Sequence, residues 1–198
     1  MKFIIVGMHS SGKQEVIDIL EEMDIKCGKI FSDIEIPSDL LYNSYNYEMY
    51  TKNDINSVFE NNAYIFLQEV PTENMSLKAY KNYEGLSLHS FDQNDVFALS
   101  PDQFVKIIQK SIKDPICIIW MDNTKDNRLN RYKTEKRSYN FAFRDNTEKL
   151  DMETFVKNIY GYKNMLYFTN EEPIRVATII YTLVKHPELI KLYRKNFN

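Results

Sequence analysis

Short apolar runs alternate along the chain with segments in which apolar residues recur at helical spacing. Runs with the length of a buried strand lie at Phe3–Val6, 63–70, 95–99, 115–121 and 164–169. Helical spacing follows the first run, from Val16 to Met23, and returns over 171–185. This alternation is typical of an α/β protein, so we predict a parallel sheet flanked by helices.

Local signals refine this pattern. Ser100 and Pro101 open a helix as its N-cap and its first residue. The run Ile116–Trp120 is the most apolar of the chain, so we expect it at the centre of the sheet. Elsewhere, 54–60 has the pattern of a short helix, and 71–87 has that of a turn-rich connection.

The chain has 198 residues and a formal net charge of -3. This length suits one α/β domain with a small insertion, and the slightly acidic balance argues against a nucleic-acid binder. Cys27 and Cys117 lie far apart, so we expect a reduced, cytoplasmic protein without a disulfide framework. No apolar run reaches the length of a membrane span or a signal peptide, and we expect no membrane partner.

The segment Gly7-Met-His-Ser-Ser-Gly-Lys13 matches the phosphate-binding motif G-x-x-x-x-G-K. It lies between a predicted strand and a predicted helix, where backbone N–H groups and the helix dipole face an anion. If the bound ligand is a nucleotide that gives up a phosphoryl group, Lys13 would neutralise charge on that phosphoryl group. We therefore predict that ATP binds to Gly7, His9, Ser10, Ser11, Gly12, Lys13 and Gln14. A ligand-free turn that merely contains Gly and Lys is the structural alternative, and His9 then fills a permissive position.

Gln14 departs from the motif, because a Ser or Thr hydroxyl normally ligates magnesium at this position. Mg²⁺ keeps several waters, so we expect it to be held through water and the nucleotide's own phosphates. We assign no protein ligand to the metal. The departure leaves open a protein that binds nucleotide but catalyses poorly.

All six arginines lie after residue 127, and four of them are Arg128, Arg131, Arg137 and Arg144. Arginine suits bidentate contacts with phosphate better than lysine does. Arg128 and Arg131 share a face of a predicted helix. We predict that the four are catalytic, as parts of a lid at about 124–148 that stabilises the charge of the transferring group. A solvated, charged helix face is the alternative.

Four stretches resemble the guanylate kinase family of nucleoside monophosphate kinases. The first is the loop at 7–13. The second is Tyr47–Tyr50 with the segments 54–59 and 62–65 after it, which are similar to the tyrosine strand, short helix and next strand of the family's acceptor-binding domain. Asn82–Gly85 resembles the family's Asn-Tyr-Tyr-Gly turn, and 164–170 resembles its late strand ending in Asn. The similarity spans most of the chain and is strongest in the loop.

The resemblance implies one P-loop kinase domain, with a core at 1–32 and 91–198 and an acceptor-binding subdomain at about 33–90. It implies ATP as phosphoryl donor, Mg²⁺ as cofactor and a nucleoside monophosphate as acceptor. It implies that Tyr47 and Tyr83 contact the acceptor, and that Asp102 or Asp95 lies near the sheet edge that faces the phosphates. Glu84 is a further candidate at the acceptor, where Glu84, Glu69 or Gln68 would read the base.

The chain also departs from the family at the acceptor site. The family grips the acceptor's phosphate with two arginines before the tyrosine strand, where this chain offers Asp33, Glu35 and Asp39. The family's base-reading Glu falls at about Phe66, and Glu84 replaces the second tyrosine of the turn. Base specificity is therefore open, and a divergent kinase for a modified deoxynucleotide, encoded by a phage and active in the host cytoplasm, fits the pattern.

We predict a nucleoside monophosphate kinase. A regulatory nucleotide-binding protein that has lost turnover is one alternative. A kinase acting on a nucleic-acid end or base is another, disfavoured by the lack of positive charge.

Overall fold

The computed structural model describes residues 1–32, 47–49, 64–70, 82–109, 114–134, 141–160 and 162–194. The chain divides into two units. The larger comprises Met1–Cys27 and Asn94–Asn198, and the smaller comprises Gly28–Gln93.

Strands and helices alternate through the described residues, as the sequence predicts. The strands are β1 (Lys2–Val6), β2 (Cys27–Gly28), β3 (Ile30–Ser32), β4 (Tyr47–Met49), β5 (Tyr64–Val70), β6 (Asn82–Ser87), β7 (Val96–Leu99), β8 (Ile116–Asp122) and β9 (Met165–Thr169). The helices are α1 (Lys13–Glu22), α2 (Leu88–Gln93), α3 (Pro101–Gln109), α4 (Lys125–Thr134), α5 (Phe141–Ile159), α6 (Pro173–Lys185) and α7 (Ile190–Arg194), with a 3₁₀ turn at Pro187–Leu189.

The larger unit contains a five-stranded sheet with the order β2-β7-β1-β8-β9. β1 lies in the middle and pairs in parallel with β7 and β8, and β8 pairs in parallel with β9. The four side chains from Phe3 to Val6 are at most 1% exposed, because both faces of this strand are covered. The apolar run Ile116–Trp120 belongs to β8, so it lies beside the central strand and not at the centre as expected.

Helices cover both faces of this sheet. On one face α1 and α6 pack together, where Val16 and Ile180 belong to a single buried cluster. On the opposite face α3 packs against α5, and the Phe155 ring contacts Phe104 and Trp120 with centroid distances of 5.4 Å. Within the part of the chain that the structure describes, no helix has the length and apolar character needed to span a bilayer.

The smaller unit contains a four-stranded sheet with the order β4-β3-β6-β5. β3 pairs in parallel with β4 and antiparallel with β6, and β6 pairs antiparallel with β5. The strand expected at 63–70 is confirmed as β5. The turn-rich connection expected up to Ser87 is wrong over Asn82–Ser87, which forms β6. Partners on both sides satisfy its backbone, so a strand forms despite Gly85 and the polar side chains.

The predicted start of α3 is confirmed in detail. Ser100 Oγ accepts the Gln103 N–H at 3.3 Å, and Gln103 Oε1 accepts the Ser100 N–H at 2.9 Å, which together form a capping box. α5 begins at Phe141, three residues before Arg144. The helix expected at 54–60 lies outside the described residues.

Candidate functional site

The loop between β1 and α1 lies at the edge where the parallel strands of the larger sheet end. Gly12 closes the loop with φ 92°, and Ser10 has φ 52°, so both are left-handed. At Gly7 an added Cβ would lie 2.6 Å from the carbonyl oxygen of Met121, so a larger residue would displace the chain there. Both glycines of the motif are therefore required by the fold of the loop.

Helix α1 starts directly behind this loop, at Lys13. Among the described residues no side chain caps the helix at Gly12. An uncapped helix start with a left-handed residue before it directs backbone N–H groups and the positive end of the helix dipole outwards. This is the arrangement that binds phosphate in proteins.

The ammonium group of Lys13 folds back over the loop. Its Nζ donates to the carbonyl oxygens of Gly7 at 2.6 Å and Met8 at 2.8 Å, and lies 3.4 Å from Ser11 Oγ. These contacts hold a positive charge beside the backbone that an anion would approach. The role of Lys13 at a phosphoryl group stays a prediction.

Gln14, where the motif expects a hydroxyl, is bound within α1. Its Nε2 donates to Asp18 Oδ1 at 2.6 Å. The described residues contain no cluster of three His, Cys, Asp or Glu side chains that could hold a metal ion. These residues do not fit a protein-built magnesium cage. That Mg²⁺ is held through water and the nucleotide's own phosphates stays a prediction.

His9, inside the loop, is bound to a carboxylate from α5. Glu148 Oε2 accepts the His9 backbone N–H at 2.6 Å and lies 2.9 Å from His9 Nδ1. Burial acts to raise the pKa of the Glu148 carboxyl, but hydrogen bonds from His9 and the charge of Lys13 outweigh burial and lower it. No local pattern in the sequence marks Glu148, because it lies 139 positions from its partner.

Arg128 is buried rather than directed at solvent, with 3% of its surface exposed. Its Nη2 donates to Asp145 Oδ1 at 2.5 Å and its Nε to the carbonyl oxygen of Asn123 at 3.3 Å. Burial acts to raise the pKa of the Asp145 carboxyl, but Arg128 and Lys125 outweigh it and lower the pKa. The pair joins α4 to α5, and the catalytic role expected of Arg128 stays a prediction.

Arg131, one turn further along α4, lies beside the loop. Its Nη1 donates to Glu15 Oε2 at 2.5 Å, and a Cβ added at Gly12 would lie 3.3 Å from that same nitrogen. Arg144 is exposed on α5. Arg137 lies outside the described residues. Among the predicted catalytic arginines that the structure describes, Arg131 is the one that these distances bring to the loop.

A pocket of about 410 Å³ opens next to Arg131, within the larger unit. The residues lining it are Glu15, Asn123, Asn127, Asn130, Arg131, Thr134, Asn170, Glu171 and Glu172. Asn123 Nδ2 donates to the Ser11 carbonyl oxygen at 2.7 Å, which ties the pocket to the loop. Asn170, with φ 51°, accepts the Thr124 N–H and the Asn127 amide, both at 2.9 Å. The volume is that of a site for a small molecule.

The residues predicted at the acceptor are distributed over both units. Tyr47 lies in β4, and Tyr83 and Glu84 lie in β6, on either side of β3. Glu84 is 8% exposed and stands opposite Ser32 of β3. Asp102 belongs to α3 in the larger unit, where Lys106 Nζ lies 3.1 Å from its Oδ2. Contacts with an acceptor remain a prediction for all four.

Comparison with known proteins rests on structure alone. No protein-family profile matches the chain, and no curated protein is similar in sequence. A guanylate kinase from Anaplasma phagocytophilum is similar in structure, with a TM-score of 0.55 and 12% identity, over 93% of this chain and 84% of that one. A gluconokinase from Sinorhizobium meliloti 1021 gives a TM-score of 0.45 and 10% identity, over 100% and 97%. The chain has a P-loop kinase fold, an α/β architecture with a mostly parallel sheet flanked by helices.

Proposed function

We propose that this protein transfers the γ-phosphoryl group of ATP to a nucleoside or deoxynucleoside monophosphate. The observation that carries the proposal is the loop itself, in which a left-handed Gly12 precedes an uncapped helix start and Lys13 Nζ lies over the loop carbonyls. An anion is the ligand that such a loop binds best.

The residues around the loop would hold the reacting groups and stabilise their charge. The first-turn amides of α1 and Lys13 would bind the triphosphate, and Arg131 would neutralise charge that develops during transfer. Positioning and electrostatic stabilisation are most of what phosphoryl transfer asks of a protein, since the acceptor phosphate attacks in line. A magnesium ion carried by the nucleotide would neutralise the phosphates further.

The pocket beside the loop is proposed to take the nucleoside part of ATP. Its amide and carboxylate side chains offer both donors and acceptors, as a base and a ribose require. Asn123 and Asn170 stabilise its wall, because each is bound to the backbone of another segment. The acceptor is proposed to bind at Tyr47, Tyr83 and Glu84 in the smaller unit, on the resemblance of that segment to the guanylate kinase family.

The proposal is tested by measuring ADP release with ATP, Mg²⁺ and a panel of ribo- and deoxyribonucleoside monophosphates. We expect turnover with at least one acceptor and none without acceptor. Turnover on none of them, in protein that still binds ATP, would exclude this kinase activity.

One alternative has a specific observation in its favour. Gln14 is bound to Asp18 and offers no hydroxyl to magnesium, as expected of a nucleotide-binding regulatory protein without efficient turnover. ATP binding without ADP release in the same panel is the result that this alternative predicts.

A further inference from the structure

The carboxylate of Glu148 lies on the phosphate-binding loop, although it comes from the middle of α5. One oxygen, Oε2, is within hydrogen-bonding distance of both the His9 backbone N–H and the His9 ring. The His9 side chain is 4% exposed and the Glu148 side chain is 13% exposed. The contact is largely shielded from water and involves an ionised acceptor, which makes it stronger than a surface ion pair.

A carboxylate and a phosphate offer the same group to a backbone amide, an anionic oxygen. The positive charge of Lys13 acts on Glu148 as it would on a phosphate, and it helps to keep the carboxyl ionised. A triphosphate brought to this loop would place further negative charges beside the carboxylate. Like charges that lie close together repel strongly where water is excluded.

We propose that Glu148 is an internal competitor of the triphosphate, bound at His9 until the phosphates of ATP displace it. This inference rests on the proposed function, because it takes the loop to be the triphosphate site. The ion pair of Asp145 with Arg128 holds α5 at a second point, so we expect α5 to stay in place when the Glu148 side chain rotates away. The loop is thereby held in shape without ligand, and the carboxylate lowers its apparent affinity for ATP.

The experiment compares the full chain with Glu148→Gln and Glu148→Ala by calorimetric titration with inorganic tripolyphosphate, without magnesium and at fixed ionic strength. Glu153→Gln is the matched control, because Glu153 is an exposed acid on the same helix. We expect both Glu148 variants to bind tripolyphosphate about tenfold more tightly, the lower end of what a hydrogen bond to a charged group contributes. Binding of adenosine, which has no phosphate, should be unchanged.

Unchanged or weaker tripolyphosphate binding in both Glu148 variants would overturn the inference. If the unmodified chain binds tripolyphosphate and Lys13→Ala abolishes this binding, the loop remains the triphosphate site and only the inference fails. If neither the unmodified chain nor any variant binds tripolyphosphate or ATP, the proposed function fails with it. Fluorescence of Trp120, the single tryptophan, reports whether each variant is folded.

Discussion

Removal of the Asp145 carboxylate should lower the free energy of unfolding of the larger unit, because the charge of Arg128 would stay buried without its partner. Asp145 is fully buried, and Arg128 Nη2 lies 2.5 Å from its Oδ1. Breaking a buried ion pair by removing one partner costs about 3–5 kcal/mol. The guanidinium in Asp145→Ala would keep one hydrogen bond, to the Asn123 carbonyl. We therefore expect a loss of about 3 kcal/mol in the free energy of unfolding.

Urea titration followed by Trp120 fluorescence measures this loss, since Trp120 lies in β8 of the larger unit. Lys149→Ala is the control. Its Nζ is 3.6 Å from Asp145 Oδ2 and its side chain is 56% exposed, so its loss should cost less than about 1 kcal/mol. The double variant Arg128→Met, Asp145→Leu should recover much of the stability, because no buried charge remains. A loss below about 1 kcal/mol in Asp145→Ala would show that Arg128 is not left as an uncompensated buried charge.

Three further predictions concern the loop and its neighbours. Arg131→Gln should lower kcat about 100-fold in steady-state ADP-release assays, because it removes one donor that stabilises the transferred charge. Lys133→Gln, at an exposed site on the same helix, should leave kcat unchanged. A kcat of Arg131→Gln equal to that of the unmodified chain would contradict this prediction. Gly12→Ala should lower the free energy of unfolding by about 1–2 kcal/mol in urea titration, because its φ is 92° and an added Cβ would lie 3.3 Å from Arg131 Nη1. An unchanged free energy of unfolding would show that the loop relaxes around the new side chain. The pKa values of Asp145 and Glu148 are lowered in the folded protein, so both ionised carboxylates stabilise the fold. This contribution is complete above their ordinary pKa values and is lost as the pH falls through the lowered pKa values. Unfolding free energy should therefore drop below about pH 4, and a flat profile there would contradict it.

The fold could be predicted from sequence where local pattern and tertiary context agree. The buried run Phe3–Val6 and the glycine-bounded loop carry their signals in consecutive residues, and the structure confirms both. Asn82–Ser87 misled the prediction, because its Gly and polar side chains favour a turn locally. Its strand is fixed by β3 and β5, which are distant in sequence.

Only the parts of the candidate site that lie close together in sequence, the loop motif and the arginine cluster, could be predicted. Arginine clustering after residue 127 is visible in the sequence, but it does not distinguish the buried Arg128 from Arg131 beside the loop. That distinction depends on Asp145 and Glu15, the two carboxylates that these arginines meet in the folded chain. The contact of Glu148 with His9 was missed for the same reason, since no local spacing encodes a contact between distant segments.

The proposed function depends above all on the loop from Gly7 to Lys13, which would bind the triphosphate of ATP. Calorimetric titration of the unmodified chain and of Lys13→Ala with ATP and Mg²⁺ tests it most directly, with Lys26→Ala, at an exposed site outside the loop, as the control. We predict saturable ATP binding that Lys13→Ala weakens at least about tenfold, as the loss of a charged contact requires. Equal ATP affinity in the Lys13→Ala variant and the unmodified chain would show that this loop is not the triphosphate site.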